Sequence, residues 1–219
     1  WGEGRTERPD PADSAFFRPF MLAHPLEDGS VHLDEFVAEW KWDGIRIQVA
    51  AKGGTTRLFS RTGDDIGQSF PELVDHFTFD AVLDGELLVL RAGQVAPFSD
   101  LQQRLNRKTV TRAMLAKYPV HVRFYDALEI GGEDLRALPF TARRERLEAW
   151  HREHGPAHSD LSEVLSFTSK EELRARWEAT REQGIEGLML KRKASPYLAG
   201  RPKGHWYKWK RAPLTADCV

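Results

Sequence analysis

The sequence predicts an α+β fold built mainly from antiparallel sheets that are flanked by helices. Two observations carry this prediction: the candidate strands come in hairpin pairs, and helices interrupt these pairs instead of following each single strand. A third is composition, because 41% hydrophobic and 30% charged residues are typical of an ordinary soluble globular protein. The 219 residues suffice for one large domain or two small ones.

The first part of the chain predicts a linker followed by a hairpin. Residues 1–18 begin with a polar, Pro- and Gly-rich stretch that is typical of an N-terminal extension. Residues 35–51 and 55–60 have strand composition and are joined by "KGG". The segment "KWDG" interrupts the first of these, so we expect a strand, a loop and a second strand from Ile45 onward. Pro71 predicts the start of a short helix, since proline favours a first helical position.

The middle of the chain predicts a second hairpin and two helices. The segments "AVLDGELLVL" and "QVAPF" pair through "RAGQ", and "VHVRFYDALEI" is a further strand. Ser99 and Gln102 have the spacing of a capping box for a helix over "DLQQRLNRK". The segment "TARRERLEAWHREH" predicts a helix that carries Leu147 and Trp150 on one side.

The last part predicts one capped helix and two closing strands. Ser169 and Glu172 form a second capping box, and the helix over "KEELRARWEATREQ" is expected to stop at Gly184. The segments "GLMLKR" and "HWYKWKR" then have strand composition.

Charge is segregated along the chain although the net charge is only −1. Lys191 through Arg211 contains eight Lys or Arg residues and no Asp or Glu. Residues 101–125 repeat this pattern with six basic residues and no acid. Segregation of this kind predicts basic surfaces that could contact nucleic-acid phosphates, although a solvated charged face is the alternative for any single residue.

Cysteine usage and hydropathy predict a cytoplasmic protein with no membrane contact. The single cysteine, Cys218, excludes an intrachain disulfide framework and fits a reducing compartment. No apolar run approaches the length of a membrane span, and no signal peptide is visible.

The segment from Lys41 to Arg46 places a lysine, an acid, a glycine and an arginine within a strand pattern. A solvated strand lysine is the ordinary interpretation. Lys41 becomes a nucleophile instead if burial and nearby cations penalise its ammonium form, and Trp40 and Trp42 flank it. Gly44 would permit a sharp turn or a close ligand approach. In an ideal strand, Arg46 would project to the face opposite Lys41.

This K-x-D-G-x-R pattern resembles the signature of the covalent nucleotidyltransferases, which are the DNA ligases, RNA ligases and capping enzymes. Five later motifs of that superfamily follow in order, and the resemblance extends from about Phe20 to Lys210. The intervening stretches "FPELVDHF", "LQQRLNRK" and "LPFTARRERLE" are similar to those of bacterial ATP-dependent DNA ligases. The five motifs are "LFSRTG" with Arg61, "LDGEL" with Glu86, "RFYDAL" with Tyr125 and Asp126, "EGLMLK" with Glu186, and "WYKWK" with Lys208 and Lys210.

The resemblance implies a nucleotidyltransferase adenylation fold of the ATP-grasp-like type, with ATP as nucleotide donor and Mg²⁺ or Mn²⁺ as metal. It implies that Lys41 attacks the α-phosphorus and that Lys208 and Lys210 stabilise the phosphoryl charge. It assigns the metal to Glu186, with Glu86 as a second metal candidate that more closely resembles a ribose hydroxyl partner. The remaining nucleotide-binding candidates are Tyr125 (with Phe124 as alternative) stacked on adenine, Glu39 near the adenine amino group, Trp40 beside the lysine, and Arg46 and Arg61 on ribose and phosphate.

The resemblance also implies nicked double-stranded DNA as partner of a monomeric, nucleoid-associated bacterial protein. We expect an adenylation domain over residues 19–212, followed at 213–219 by the start of a linker to an absent C-terminal OB-fold domain. Without that domain and an N-terminal DNA-binding domain, the chain should self-adenylate weakly and seal nicks poorly. The alternatives are an RNA ligase or GTP-using capping enzyme, and a non-catalytic nucleic-acid-binding module, which the intact Lys41 disfavours.

Overall fold

The computed structural model describes residues 16–27, 31–180 and 184–210. Most of the predicted linker at 1–18 and all of 213–219 lie outside these ranges, as does Cys218. The strands, in chain order, are β1 (His24–Pro25), β2 (Phe36–Trp42), β3 (Ile45–Lys52), β4 (Thr55–Ser60), β5 (Ala81–Arg91), β6 (Gln94–Val95), β7 (Val120–Ile130), β8 (Glu133–Asp134), β9 (Ser159–Leu161), β10 (Val164–Leu165), β11 (Ile185–Arg192) and β12 (Trp206–Lys210).

These strands form two sheets within the described residues. The first has the order β1-β12-β11-β2-β10, and the second has the order β4-β3-β5-β7-β8 with β6 beside β5 and β9 beside β7. Only the β1–β12 and β7–β9 pairs are parallel among the described strands. The mainly antiparallel α+β architecture predicted from the sequence is therefore confirmed, and so is the β3–β4 hairpin.

The helices flank the sheets, and their first residues can be compared with the two predicted capping boxes. Ser169 accepts a hydrogen bond from the Glu172 N–H, as predicted, but its helix ends at Glu178, well before Gly184. The Ser99 prediction is wrong: the helix begins at Phe98, two residues before the predicted start at Asp100, and its N-cap, Pro97, makes no side-chain hydrogen bond. The helices are α1 (Pro71–His76), α2 (Phe98–Gln102), α3 (Arg112–Lys117), α4 (Phe140–His154) and α5 (Lys170–Glu178).

The main core lies on the inner side of the second sheet. Helix α4 contributes Leu147 and Trp150, both almost fully buried, as its predicted apolar side required. Phe124 of β7 lies in the same cluster and is fully buried. Burying each large side chain of this kind stabilises the fold by about 1.5–3 kcal/mol. This core therefore supports the second sheet on the face opposite to the one that carries Arg46, Glu86 and Tyr125.

The "KWDG" segment is the connection between the two sheets, because β2 belongs to one sheet and β3 to the other. The Asp43 N–H donates to the Gly184 carbonyl at 2.9 Å, which ties the turn to the segment before β11. A Cβ on Gly44 would lie 2.4 Å from the Leu87 carbonyl oxygen, so only glycine fits this approach to β5. The turn also corrects one expectation: Lys41 and Arg46 do not point apart but line the same cavity.

Candidate active site

A cavity of about 360 Å³ lies between the facing surfaces of the two sheets. This volume is within the range of small-molecule sites in proteins. Ten candidate residues predicted from the sequence line it, namely Glu39, Trp40, Lys41, Arg46, Arg61, Glu86, Tyr125, Glu186, Lys208 and Lys210.

The first sheet supplies the lysines of the cavity through its strand register. Lys41 on β2 lies opposite Gly187 on β11, and Gly187 lies opposite Lys210 on β12, so the two lysines flank one glycine. A Cβ on Gly187 would lie 2.3 Å from the Trp209 carbonyl oxygen, which explains why this central position has no side chain. Lys208 lies two residues before Lys210 and projects to the same face, as predicted.

A β-bulge aims Glu186 into the cavity between these lysines. Ile185 pairs with Trp42 and Gly187 with Lys41, so Glu186 is the extra residue in β11. One of its carboxylate oxygens contacts the Lys41 ammonium, and the other lies 3.1 Å from Lys210 Nζ. Although burial opposes the effect, the hydrogen bonds from both lysines lower the pKa of Glu186. In this structure, Glu186 therefore holds the candidate nucleophile in an ion pair.

Lys208 marks the most cation-rich part of the cavity. Burial lowers its pKa, and the positive charges of Lys210, Arg201, Lys41 and Arg61 lower it further. Cations placed this close together repel one another unless an anion lies between them. This end of the cavity is therefore suited to a polyanionic ligand such as a chain of phosphates.

The second sheet supplies Arg46, Glu86 and Tyr125. Arg46 on β3 lies opposite Glu86 on β5, so both face the cavity. Burial raises the pKa of Glu86 to about 8, with Asp84 and Glu186 adding to the rise against Lys41 and Arg46. The Glu86 carboxyl therefore holds its proton to a higher pH than an exposed glutamate does, and nearby cations favour its ionised form.

Tyr125 reaches the cavity because β7 is irregular at this position. Asp84 pairs with Asp126 and Gly85 with Phe124, so Tyr125 is the extra residue between them. Phe124, the alternative stacking residue, lies in the core and does not line the cavity. Asp126, which shares the motif, is fully buried in a two-pronged ion pair with Arg143 at 2.8 and 2.9 Å. Asp126 therefore supports the fold from below the site.

Glu39 lies at the fully buried end of the cavity and is already paired. Its carboxylate contacts the Lys191 ammonium and lies 3.3 Å from Arg144 Nη1. Burial raises the pKa of Glu39, and both cations oppose the rise. Lys191 Nζ itself lies 4.3 Å from the Tyr125 ring centroid and 4.7 Å from that of Trp206. A ligand that hydrogen-bonds to Glu39 must therefore do so while the carboxylate remains paired with Lys191 and Arg144.

The sequence interpretation missed several cavity residues, three of which strand alternation predicts. Lys191 ends the quoted "EGLMLK" motif two residues after Met189, and both line the cavity. Trp206 precedes Lys208 by two residues and so faces the same way. Arg201 also lines the cavity, but it lies in a loop where no periodic pattern predicts its direction.

Three members of the predicted basic surfaces are largely buried in ion pairs. Arg104 is fully buried and contacts both carboxylate oxygens of Glu72. Arg123 pairs with Asp160 at 2.7 Å and lies over the Trp42 ring. Lys191 is the third. The exposed basic residues of the first segment are Arg107, Lys108, Arg112 and Lys117, and they remain candidates for phosphate contacts.

The cavity carboxylates fit a partial site for a divalent cation. No cluster of three or more metal-binding side chains occurs in the described part of the chain. Mg²⁺ needs no such cluster, because one or two carboxylates together with substrate phosphates commonly hold it. Glu186 and Glu86 are hard oxygen donors, and the Glu186 charge contributes to the raised pKa of Glu86, a repulsion that a cation between them would relieve.

Comparison with known proteins identifies the family. Residues 20–210 match the model of the ATP dependent DNA ligase domain. This chain belongs to that family. A probable DNA ligase from Koribacter versatilis is 37% identical over 91% of this chain and 39% of that protein. A DNA ligase from Haloarcula marismortui is 33% identical over 95% of this chain and 37% of that protein.

The chain thus spans about two fifths of the length of these curated relatives. The structure of a mycobacterial DNA ligase D complexed with ATP and MES has a TM-score of 0.69 at 28% identity, covering 88% of this chain and 60% of that one. The ligase-domain fold predicted from the motifs is confirmed. Family membership also favours a DNA ligase over the RNA ligase and capping-enzyme alternatives. None of the helices in the described ranges could cross a membrane.

Proposed function

We propose that Lys41, in its neutral form after its ammonium proton has passed to solvent, attacks the α-phosphorus of ATP. The bond from this phosphorus to pyrophosphate breaks, and Lys41 then carries AMP as a phosphoramidate. The observation that supports this proposal is the cluster at Glu186, whose carboxylate contacts Lys41 on one side and Lys210 on the other. A nucleotide that occupies the cation-rich end of the cavity would compete with Glu186 for both lysines. Lys41 would then be released from its ion pair beside the phosphorus that it attacks.

The surrounding residues have roles that follow from their chemistry. Lys208 and Lys210 are point charges on one strand face and stabilise negative charge on the phosphoryl oxygens and the leaving pyrophosphate. Tyr125 offers an aromatic face to adenine, and Glu39 with Trp40 bounds the closed end. Arg46, Arg61 and Glu86 bind ribose and phosphate. Glu186, with Glu86, would hold Mg²⁺ or Mn²⁺, which supplies further neutralisation of phosphate charge when bound.

We further propose that the complete protein passes AMP from Lys41 to the 5′-phosphate of nicked double-stranded DNA and seals the strand. Relatives named DNA ligases support this. The family match over 20–210 supports an adenylation domain at 19–212, with 1–18 and 213–219 as connecting segments. A monomeric state and a cytoplasmic, nucleoid-associated location belong to the same proposal.

The proposal is tested by mass spectrometry of the chain after incubation with ATP and Mg²⁺. We expect a population heavier by one AMP in the unmodified chain and none in Lys41→Ala. Lys52→Ala is a matched control, because Lys52 is also a strand lysine that contacts a glutamate, Glu129. Equal labelling of Lys41→Ala and the unmodified chain would refute Lys41 as the nucleophile. Because weak self-adenylation is expected, the incubation is prolonged, and absence of label in the unmodified chain even then would favour a non-catalytic binding module.

A further inference from the structure

We propose that Tyr197 is a positioning residue for nucleotide transfer. Its hydroxyl and the main-chain carbonyl of Met21 both accept hydrogen bonds from Arg46 and so fix the orientation of the guanidinium. The inference rests on the proposed function, because Arg46 is one of the residues that bind the nucleotide there. Neither Tyr197 nor Met21 belongs to the motifs that define the site, and both lie outside its cavity.

Four hydrogen bonds fix the Arg46 guanidinium in one orientation. Its Nε donates to Asp84 Oδ1 at 3.0 Å, and its Nη2 donates to Asp84 Oδ2 at 2.5 Å and to the Tyr197 hydroxyl at 3.2 Å. Its Nη1 donates to the Met21 carbonyl at 2.7 Å. An arginine has five N–H donors. The fifth, on Nη1, has no acceptor among the described residues and remains for a ligand in the cavity.

Tyr197 closes this network from the side of Asp84. Its hydroxyl donates to Asp84 Oδ2 at 2.8 Å while it accepts from Arg46, so it touches both members of the ion pair. Burial raises the pKa of this hydroxyl well above its usual range, and it therefore stays a donor at neutral pH. Removal of the hydroxyl would take away one of the four hydrogen bonds that fix Arg46 and one hydrogen bond to Asp84, and would loosen the orientation of the pair.

The two chain segments that hold Arg46 also hold each other. The Leu22 N–H donates to the Gly200 carbonyl at 2.6 Å, and the Gly200 N–H donates to the Phe20 carbonyl at 3.0 Å. Met21 lies between them and is fully buried. The Phe20 ring lies 4.6 Å from the Arg46 guanidinium carbon and covers one of its faces. The segment 20–22 and the loop from Tyr197 to Gly200 therefore act as one rigid support.

The ring and the hydroxyl of Tyr197 make different contacts. The Tyr197 ring packs edge-on against Trp206, with centroids 5.7 Å apart, and a phenylalanine would fill the same space. The hydroxyl alone connects the ring to Arg46. Tyr197→Phe therefore removes the support of Arg46 and leaves the core contact in place.

A double-mutant cycle tests the inference in the whole chain. The rate of AMP labelling with ATP and Mg²⁺ is measured for the unmodified chain, Tyr197→Phe, Arg46→Gln and the combination. We expect Tyr197→Phe to slow labelling about tenfold, since hydrogen bonds to charged groups carry this weight. In the Arg46→Gln background, the same change should alter the rate by less than about twofold. Tyr207→Phe, a half-buried tyrosine on the opposite face of β12, serves as control.

Each outcome decides the matter. Labelling of the unmodified chain together with additive effects of the two changes would overturn the inference and leave the proposed function intact. A Tyr197→Phe variant as fast as the unmodified chain would do the same. An unmodified chain that takes no label would refute the proposed function and the inference with it. Urea unfolding of every variant shows whether a slow variant is folded, because a structural defect would lower stability without coupling to Arg46.

Discussion

Glu86 predicts a pH dependence of folding stability whose sign follows from its surroundings. Burial raises its pKa from the usual 4.5 to about 8. Between these values, the folded chain keeps a proton that the unfolded chain has lost. The stabilisation is therefore fully present below pH 4.5 and is lost as the pH rises to about 8.

The difference between the two pKa values of Glu86 sets an upper limit on the loss of folding stability. Each pH unit between the two pKa values is worth about 1.4 kcal/mol, so the full loss would be about 5 kcal/mol. Glu86 lies on the wall of an open cavity and keeps some contact with solvent. We therefore expect about half of that value, or about 2–3 kcal/mol.

Urea unfolding of the unmodified chain and of Glu86→Gln at about pH 5 and about pH 9 measures this effect. Because glutamine does not titrate, we expect the unmodified chain to lose about 2–3 kcal/mol relative to the variant between these pH values. A difference that stays constant across this range would refute the assigned protonation. Glu133→Gln is the control, because the hydrogen bond from Arg146 lowers the pKa of Glu133 from 4.5 and its contribution is lost only below that value, so its difference from the unmodified chain should stay constant between about pH 5 and about pH 9.

Two further predictions concern the parts of the fold that support the site. Gly44→Ala places a methyl 2.4 Å from the Leu87 carbonyl oxygen, and we expect a loss of about 2–4 kcal/mol in urea unfolding together with loss of AMP labelling. Gly67→Ala, whose nearest atom would lie at 3.1 Å, should cost clearly less, and equal costs would contradict this reasoning. Asp126→Asn leaves the fully buried Arg143 without its carboxylate partner and should cost about 3–5 kcal/mol by the same measurement. A variant as stable as the unmodified chain would show that this ion pair is dispensable.

Local patterns in the sequence were sufficient for the strands and for much of the site. Alternation along β12 predicted that Lys208 and Lys210 share a face, and the structure confirms it. The same rule applied to "EGLMLK" would have found Lys191, since strand periodicity depends only on backbone geometry. The motif residues could be located because each one stands within a short segment of defined order.

Local patterns failed where a tertiary contact overrides them. Arg46 was expected to point away from Lys41, but the strand periodicity does not continue through the turn at Gly44 into a different sheet. The Ser99 cap failed because the helix begins at Phe98, directly after Pro97, two residues earlier than the capping pattern requires. In both cases the prediction used the spacing of residues along the chain and did not allow for a turn or a proline that precedes them.

The sequence by itself was sufficient to select the candidate side chains of the site, because the proposed nucleophile, acids, lysines and aromatic residue lie in motifs whose order can be recognised without any knowledge of the fold. Only the tertiary structure decided how they meet. The bulges that turn Glu186 and Tyr125 inward arise from pairing between distant strands. The support of Arg46 by Met21 and Tyr197 joins residues up to 176 positions apart, as their numbers show. Contacts of this range depend on which strands become neighbours, and no local spacing in a single sequence contains that information.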